Sequence, residues 1–94
     1  MYKIYIVYDK ESDIDLFKNT SFKDTFLVEY YNMTTRKGQK DGYKLKGEWG
    51  ARNNPFCIIY KNDKPYKAFY SENDWEENAI IQLIDFLQNE KSTS

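Results

Sequence analysis

Apolar residues fall into short dense runs separated by polar stretches along most of the chain. Tyr2 to Tyr8 is a β-branched and aromatic run broken only by Lys3. Such a near-continuous apolar strand suits the centre of a sheet covered on both faces. Asp9 to Asp13 is polar and turn-like, and Ser12 stands where it would cap a short helix carrying Ile14, Leu16 and Phe17. Phe26-Leu27-Val28-Glu29-Tyr30-Tyr31 predicts a second strand. The intervening segment is long enough for the crossover that a parallel pair requires, so the first third of the chain predicts a right-handed βαβ unit.

The pattern then breaks. All four glycines (Gly38, Gly42, Gly47, Gly50) fall between Met33 and Asn54, beside Arg36, Lys37, Lys40, Lys44, Lys46 and Arg52. Glycine at this density disfavours a long helix, and the segment reads as one helical turn followed by irregular chain. Order returns with Phe56-Cys57-Ile58-Ile59-Tyr60, a third strand. The turn Lys61-Asn62-Asp63-Lys64 has two φ-tolerant residues at its centre. Pro65 to Tyr70 comes back as a fourth strand, with Pro65 at a strand start or sheet edge because it lacks an N–H. Ala79, Ile80, Leu83, Ile84 and Leu87 recur at helical spacing, with Phe86 widening the apolar face. Asp74 and Glu77 form a start resembling a capping box, and Asn89 to Ser94 reads as a polar tail that frays. No internal repeat is visible, and residues 1–94 predict one domain.

Composition narrows the chemistry. The chain is 40% hydrophobic with nine Tyr and six Phe, too aromatic for a disordered polymer. Its net charge of -1 supplies no global attraction to nucleic acid or membrane. The charges are nevertheless unevenly placed, basic in the glycine-rich segment and acidic near the terminal helix. There is no His, which removes the commonest general base and transition-metal ligand. No apolar run approaches the ~20 residues of a membrane helix, and the first residues lack the pattern of a signal peptide. With Cys57 as the only cysteine, an intrachain disulfide is excluded, and the protein reads as soluble and cytoplasmic. The Lys, Asn, Tyr and Ile bias has the style of an AT-rich phage or mobile element, which would place the chain in a host cytoplasm.

The order β-α-β, connection, β-hairpin, helix resembles the thioredoxin superfamily, in particular its glutaredoxin-sized members. The closest local match is Asn54-Pro55-Phe56-Cys57-Ile58-Ile59-Tyr60-Lys61-Asn62-Asp63-Lys64. It is similar to the family segment in which a cis-proline precedes the third strand and a tight hairpin turn follows. The resemblance implies an α/β thioredoxin-like fold with a four-stranded mixed sheet and a cis bond at Pro55. It also implies that the proline loop presents backbone groups to an extended substrate. The chain departs from the family where its enzymes carry Cys-x-x-Cys or a single Cys, at a strand-to-helix junction where the dipole makes a thiolate. The junctions here read Asp9-Lys10-Glu11-Ser12-Asp13 and Asn32-Met33-Thr34-Thr35-Arg36-Lys37-Gly38. Dithiol oxidoreductase chemistry is therefore absent.

Candidate sites each carry two readings. Cys57 invites a thiol-dependent or glutathione-related enzyme, but inside an apolar strand a free Cys is a small hydrophobe. Pro55 serves either a substrate-presenting loop or simply the start of the third strand. Asp9, Glu11, Asp13 and Asp15 lack the glutamate and spacing of a calcium loop and read as solvated turn residues. The glycine-rich segment lacks nucleotide-binding glycine spacing, yet Tyr43 and Trp49 among its cations suit stacking on bases beside phosphates. The alternative there is a solvated loop with Trp49 folded back on the core. Tyrosines on strand edges would suit a dimer or partner surface. The leading expectation is a non-catalytic module that binds a protein partner or forms a homo-oligomer, with no cofactor and no metal. Its anchors would be Arg36, Lys37, Trp49, Arg52, Asn54 and Pro55, since Trp and Arg dominate interface hot spots. Single-stranded nucleic acid or an anionic ligand on the segment from Thr34 to Asn54 is the alternative.

Overall fold

The computed structural model of the chain describes residues 2–71 and 78–93. Within them lie β1 (Tyr2–Tyr8), α1 (Glu11–Lys18), α2 (Phe22–Thr25), β2 (Leu27–Asn32), α3 (Arg36–Trp49), β3 (Phe56–Lys61), β4 (Lys64–Phe69) and α4 (Ala79–Thr93). The strands form one mixed sheet in the order β2-β1-β3-β4. The β1–β2 pair is parallel, as its helical crossover demands, and the other two pairs are antiparallel. The β3–β4 turn places Asn62 and Asp63 at φ 53° and 67°, the left-handed conformation that these residue types tolerate. Pro65 lies on β4, an edge strand, where a missing donor costs least.

Both faces of the sheet are covered, which explains the near-continuous apolar runs. On one face Ile4, Ile6, Cys57, Ile59 and Phe69 are buried under Ile14 and Phe17 of α1, Phe22 of α2, and Ala79, Ile80, Leu83 and Leu87 of α4. On the other face Val7, Phe56 and Ile58 pack with Met33, which precedes α3, and with Leu45 of α3. Each fully buried large aliphatic side chain contributes about 1.5–3 kcal/mol relative to exposure.

The structure corrects the reading of the Met33–Asn54 segment. Arg36–Trp49 is one regular helix; tertiary contact decides two of the four glycines and the end of the helix a third. At Gly38 a Cβ would overlap the Asn32 carbonyl, so only glycine lets α3 start against the end of β2. At Gly42 a Cβ would overlap the Met33 thioether and press on Val7. Gly50, at φ 67°, is the left-handed cap that ends the helix. The helix starts where the Thr35 hydroxyl accepts from the Gly38 N–H at 3.0 Å.

Other boundaries also differ. Lys10, not Ser12, occupies the cap position of α1, and no side chain caps that helix. Leu16 is exposed, while Ile14 and Phe17 are buried. The single turn α2 was not foreseen; it rests on buried Phe22, whose N–H donates to the Thr20 hydroxyl. The second strand is shifted by one residue, to Leu27–Asn32. The polar segment from Asn89 continues α4 as far as Thr93 instead of ending it, and Glu90 accepts from the Tyr2 and Tyr66 hydroxyls at 3.3 and 3.4 Å. The anticipated capping pair Asp74 and Glu77 lies outside the described residues.

Candidate functional site: a polar cleft beside a cis-proline

The register of β1 against β3 brings together two junctions that are distant in sequence. Val7 pairs with Phe56, so the chain leaving β1 at Asp9 and Lys10 runs beside the chain reaching β3 through Asn53, Asn54 and Pro55. Ser71 and Asn78, which flank the connection from β4 to α4, close the same end of the sheet. The cleft of about 480 Å³ is lined by Asp9, Lys10, Asp13, Arg52, Asn53, Asn54, Pro55, Ser71 and Asn78. The Asn54–Pro55 peptide bond is cis, as the resemblance implies.

Hydrogen bonds, buried at the Ser71 hydroxyl and partly buried at Asn53 and Lys46, hold the floor of the cleft. The Ser71 hydroxyl donates to the Pro55 carbonyl at 2.7 Å and accepts from the Ala79 N–H at 2.9 Å. One small side chain thereby ties the proline loop to the first residue of α4. Asn53 donates its side-chain amide to the Ser71 carbonyl at 2.7 Å. Lys46, 6% exposed, reaches under the loop and donates its Nζ to Asn54 Oδ1 at 2.8 Å. A fixed polar geometry of this kind presents recognition groups without the entropy cost of ordering them on binding.

Burial shapes the electrostatics. It lowers the Lys46 pKa from its ordinary value, and the Asp9 carboxylate opposes that shift in part. The Asp13 carboxyl is raised by burial, with Asp9 adding to the rise and Lys10 opposing it. Cys57 is wholly buried, which pushes its thiol well above 9.0, and Asp13 adds to the effect. It is therefore held as an uncharged thiol at neutral pH, away from solvent.

The six anchors read from the sequence separate in space. Arg52, Asn54 and Pro55 line the cleft, Arg52 exposed at its rim and Pro55 buried in its wall. Arg36 and Lys37 are exposed on the first turn of α3 and do not line it. Trp49 is half-buried against the Val7–Phe56–Ile58 cluster, and its carbonyl accepts from the Tyr70 hydroxyl at 2.8 Å. The fold-back alternative describes Trp49, because the inward side of α3 carries Gly38, Gly42, Leu45 and Trp49 at helical spacing. Lys46, counted among the loop cations, is buried for the same reason.

Asp9, Lys10, Asp13, Asn53, Ser71 and Asn78 were missed as site residues. The first three stand at the strand-to-helix junction, which the sequence marked only by its lack of cysteine. The cleft presents carboxylates, an ammonium, a guanidinium and amides side by side, a donor and acceptor set suited to polar recognition. Among the described residues no three His, Cys, Asp or Glu side chains stand together as a metal site, and no helix is long and apolar enough to cross a membrane. In comparison with known proteins, no family model matches the chain, and no curated protein matches its sequence.

Proposed function

We propose that this chain is a thioredoxin-like binding module without dithiol redox activity, which holds a protein partner or a second copy of itself through the Pro55 cleft. The observation that carries this reading is the juxtaposition of the β1–α1 junction with the cis-Pro55 loop. Asp9, Lys10 and Asp13 stand there with no thiol among them. The strand order β2-β1-β3-β4, with one parallel pair and helices on both faces, supports the resemblance. The burial of the chain's one thiol argues against the thiol-dependent and glutathione-related alternatives.

Capture by the tagged full chain, compared with its Lys10→Glu plus Arg52→Glu variant, tests the site. Both residues are exposed, so the variant should keep its Tm. It should lose at least about tenfold in capture of a stoichiometric protein, or in self-association followed by sedimentation velocity. Equal capture by both forms would reject the cleft. Reduction of insulin disulfides above background by the wild-type chain would reject the non-redox reading.

A further inference from the structure

One glycine of α3 has no explanation within the fold. A Cβ on Gly47 would meet nothing within 4 Å, and the residue is exposed. An interior helix glycine weakens the helix relative to alanine. What the missing side chain leaves is open access to the helix backbone from outside.

The surroundings of Gly47 define that approach. Successive helix residues turn by about 100°, so Arg36, Lys40, Tyr43 and Gly47 project opposite the inward row of Gly38, Gly42, Leu45 and Trp49. Arg36, Lys37, Lys40 and Lys44 are all exposed, and none forms an ion pair among the described residues. Arg36, Lys40 and Lys44 recur at steps of about 6 Å along the axis. Tyr43 is 63% exposed and lies three residues from Lys40 on this face. The helix's two acids, Asp41 and Glu48, lie to one side, where they line with Lys44 a groove over Tyr5, Tyr31 and Tyr60.

We propose that the outward face of α3 binds single-stranded nucleic acid, its cations on successive phosphates, Tyr43 stacked on a base, and Gly47 admitting the strand close to the helix. Arg36, Lys37, Lys40 and Lys44 outnumber the two acids at the edge of the face and complement a polyanion. Apart from Tyr43 the face offers no large apolar side chain, so an acidic protein helix docking there would bury no apolar seam. A phosphodiester chain needs none, and an aromatic ring among cations is how unpaired bases are held. The face shares no residue with the Pro55 cleft, so the inference stands or falls separately from the partner reading.

Fluorescence anisotropy with a labelled thymidine oligonucleotide of about 20 nucleotides tests it. Three or four phosphate contacts predict a slope of log K against log salt of about −2 to −3. Lys40→Glu plus Lys44→Glu should weaken binding at least about tenfold with the far-UV spectrum and Tm unchanged. Tyr43→Ala should weaken it about tenfold and leave the salt slope alone. Gly47→Ala should raise Tm while lowering affinity, a pairing that a purely structural glycine would not produce. No binding at about 20 mM salt, binding indifferent to the charge reversal, or equal affinity for a duplex of the same length would overturn the proposal. Binding of a polyglutamate peptide but not the oligonucleotide would overturn it in favour of an acidic protein ligand.

Discussion

The two faces of the sheet are built to different standards. Three helices cover the first, and Ile4, Ile6, Phe17, Cys57, Ile59, Ile80 and Leu83 there are at most 1% exposed. Among the described residues the second is crossed by α3 alone. Beyond that helix Tyr5, Tyr31 and Tyr60 remain half-buried, with Tyr5 ring centroids 5.9 and 5.3 Å from the other two. The first face is a packed core of aliphatic and aromatic side chains. The second is held by a helix whose fit depends on glycines and whose outer side is polar. The exposed polar residues on which both proposals rest lie on this helix and in the cleft at the sheet's end.

The largest test of this contrast is Phe17→Ala. On the fully covered face it should cost about 3–5 kcal/mol in urea unfolding, and a cost under about 1.5 would mean that the face can collapse around the loss. Gly38→Ala should cost about 1–3 kcal/mol, because the added Cβ meets backbone that cannot rotate away. Its signature should be local: amide exchange in α3 accelerates before that of β1 and β3, whereas uniform acceleration would deny the two faces separate stabilities.

The third test uses pH. The Cys57 thiol is raised above 9.0 in the folded chain, so the native state binds more protons than the unfolded state above that pH. Stability should therefore fall as pH rises past about 9, by up to about 1.4 kcal/mol per unit. Cys57→Ala should flatten that limb. Tyr2, Tyr8, Tyr30 and Tyr31 are raised in the same sense from 10.0, so the comparison belongs between about pH 9 and 10. An unchanged limb in the variant would place the titration on other groups. The smallest effect is Gly47→Ala, which should stabilise by about 0.5–1 kcal/mol because nothing opposes the added methyl. Destabilisation would show that the outer side of α3 is packed after all.

The sheet was legible because its signals are local: β-branched runs, the Asn62-Asp63 turn, and Ala79, Ile80, Leu83 and Leu87 at helical spacing. α3 was not legible because propensity counts every interior glycine against a helix. Gly38 and Gly42 are favourable here only through Asn32, Met33 and Val7, neighbours that sequence spacing alone does not supply. The row Gly38, Gly42, Leu45, Trp49 was the available sign, a small-and-apolar stripe at helical period. The cleft was half legible. Arg52, Asn54 and Pro55 are contiguous enough to mark one wall, whereas Asp9, Asp13, Ser71 and Asn78 join them only through the Val7–Phe56 register and the return of β4.

The central claim is that the Pro55 cleft holds a protein, and site-specific photocrosslinking addresses it most directly. A benzophenone side chain placed at exposed Asn53 would be compared with one at exposed Lys23, on α2. The account predicts a discrete adduct, heterologous or a dimer of this chain, from Asn53 and none from Lys23, with Arg52→Glu suppressing it. Absence of any adduct from Asn53 under conditions where the chain captures its partner would contradict the claim.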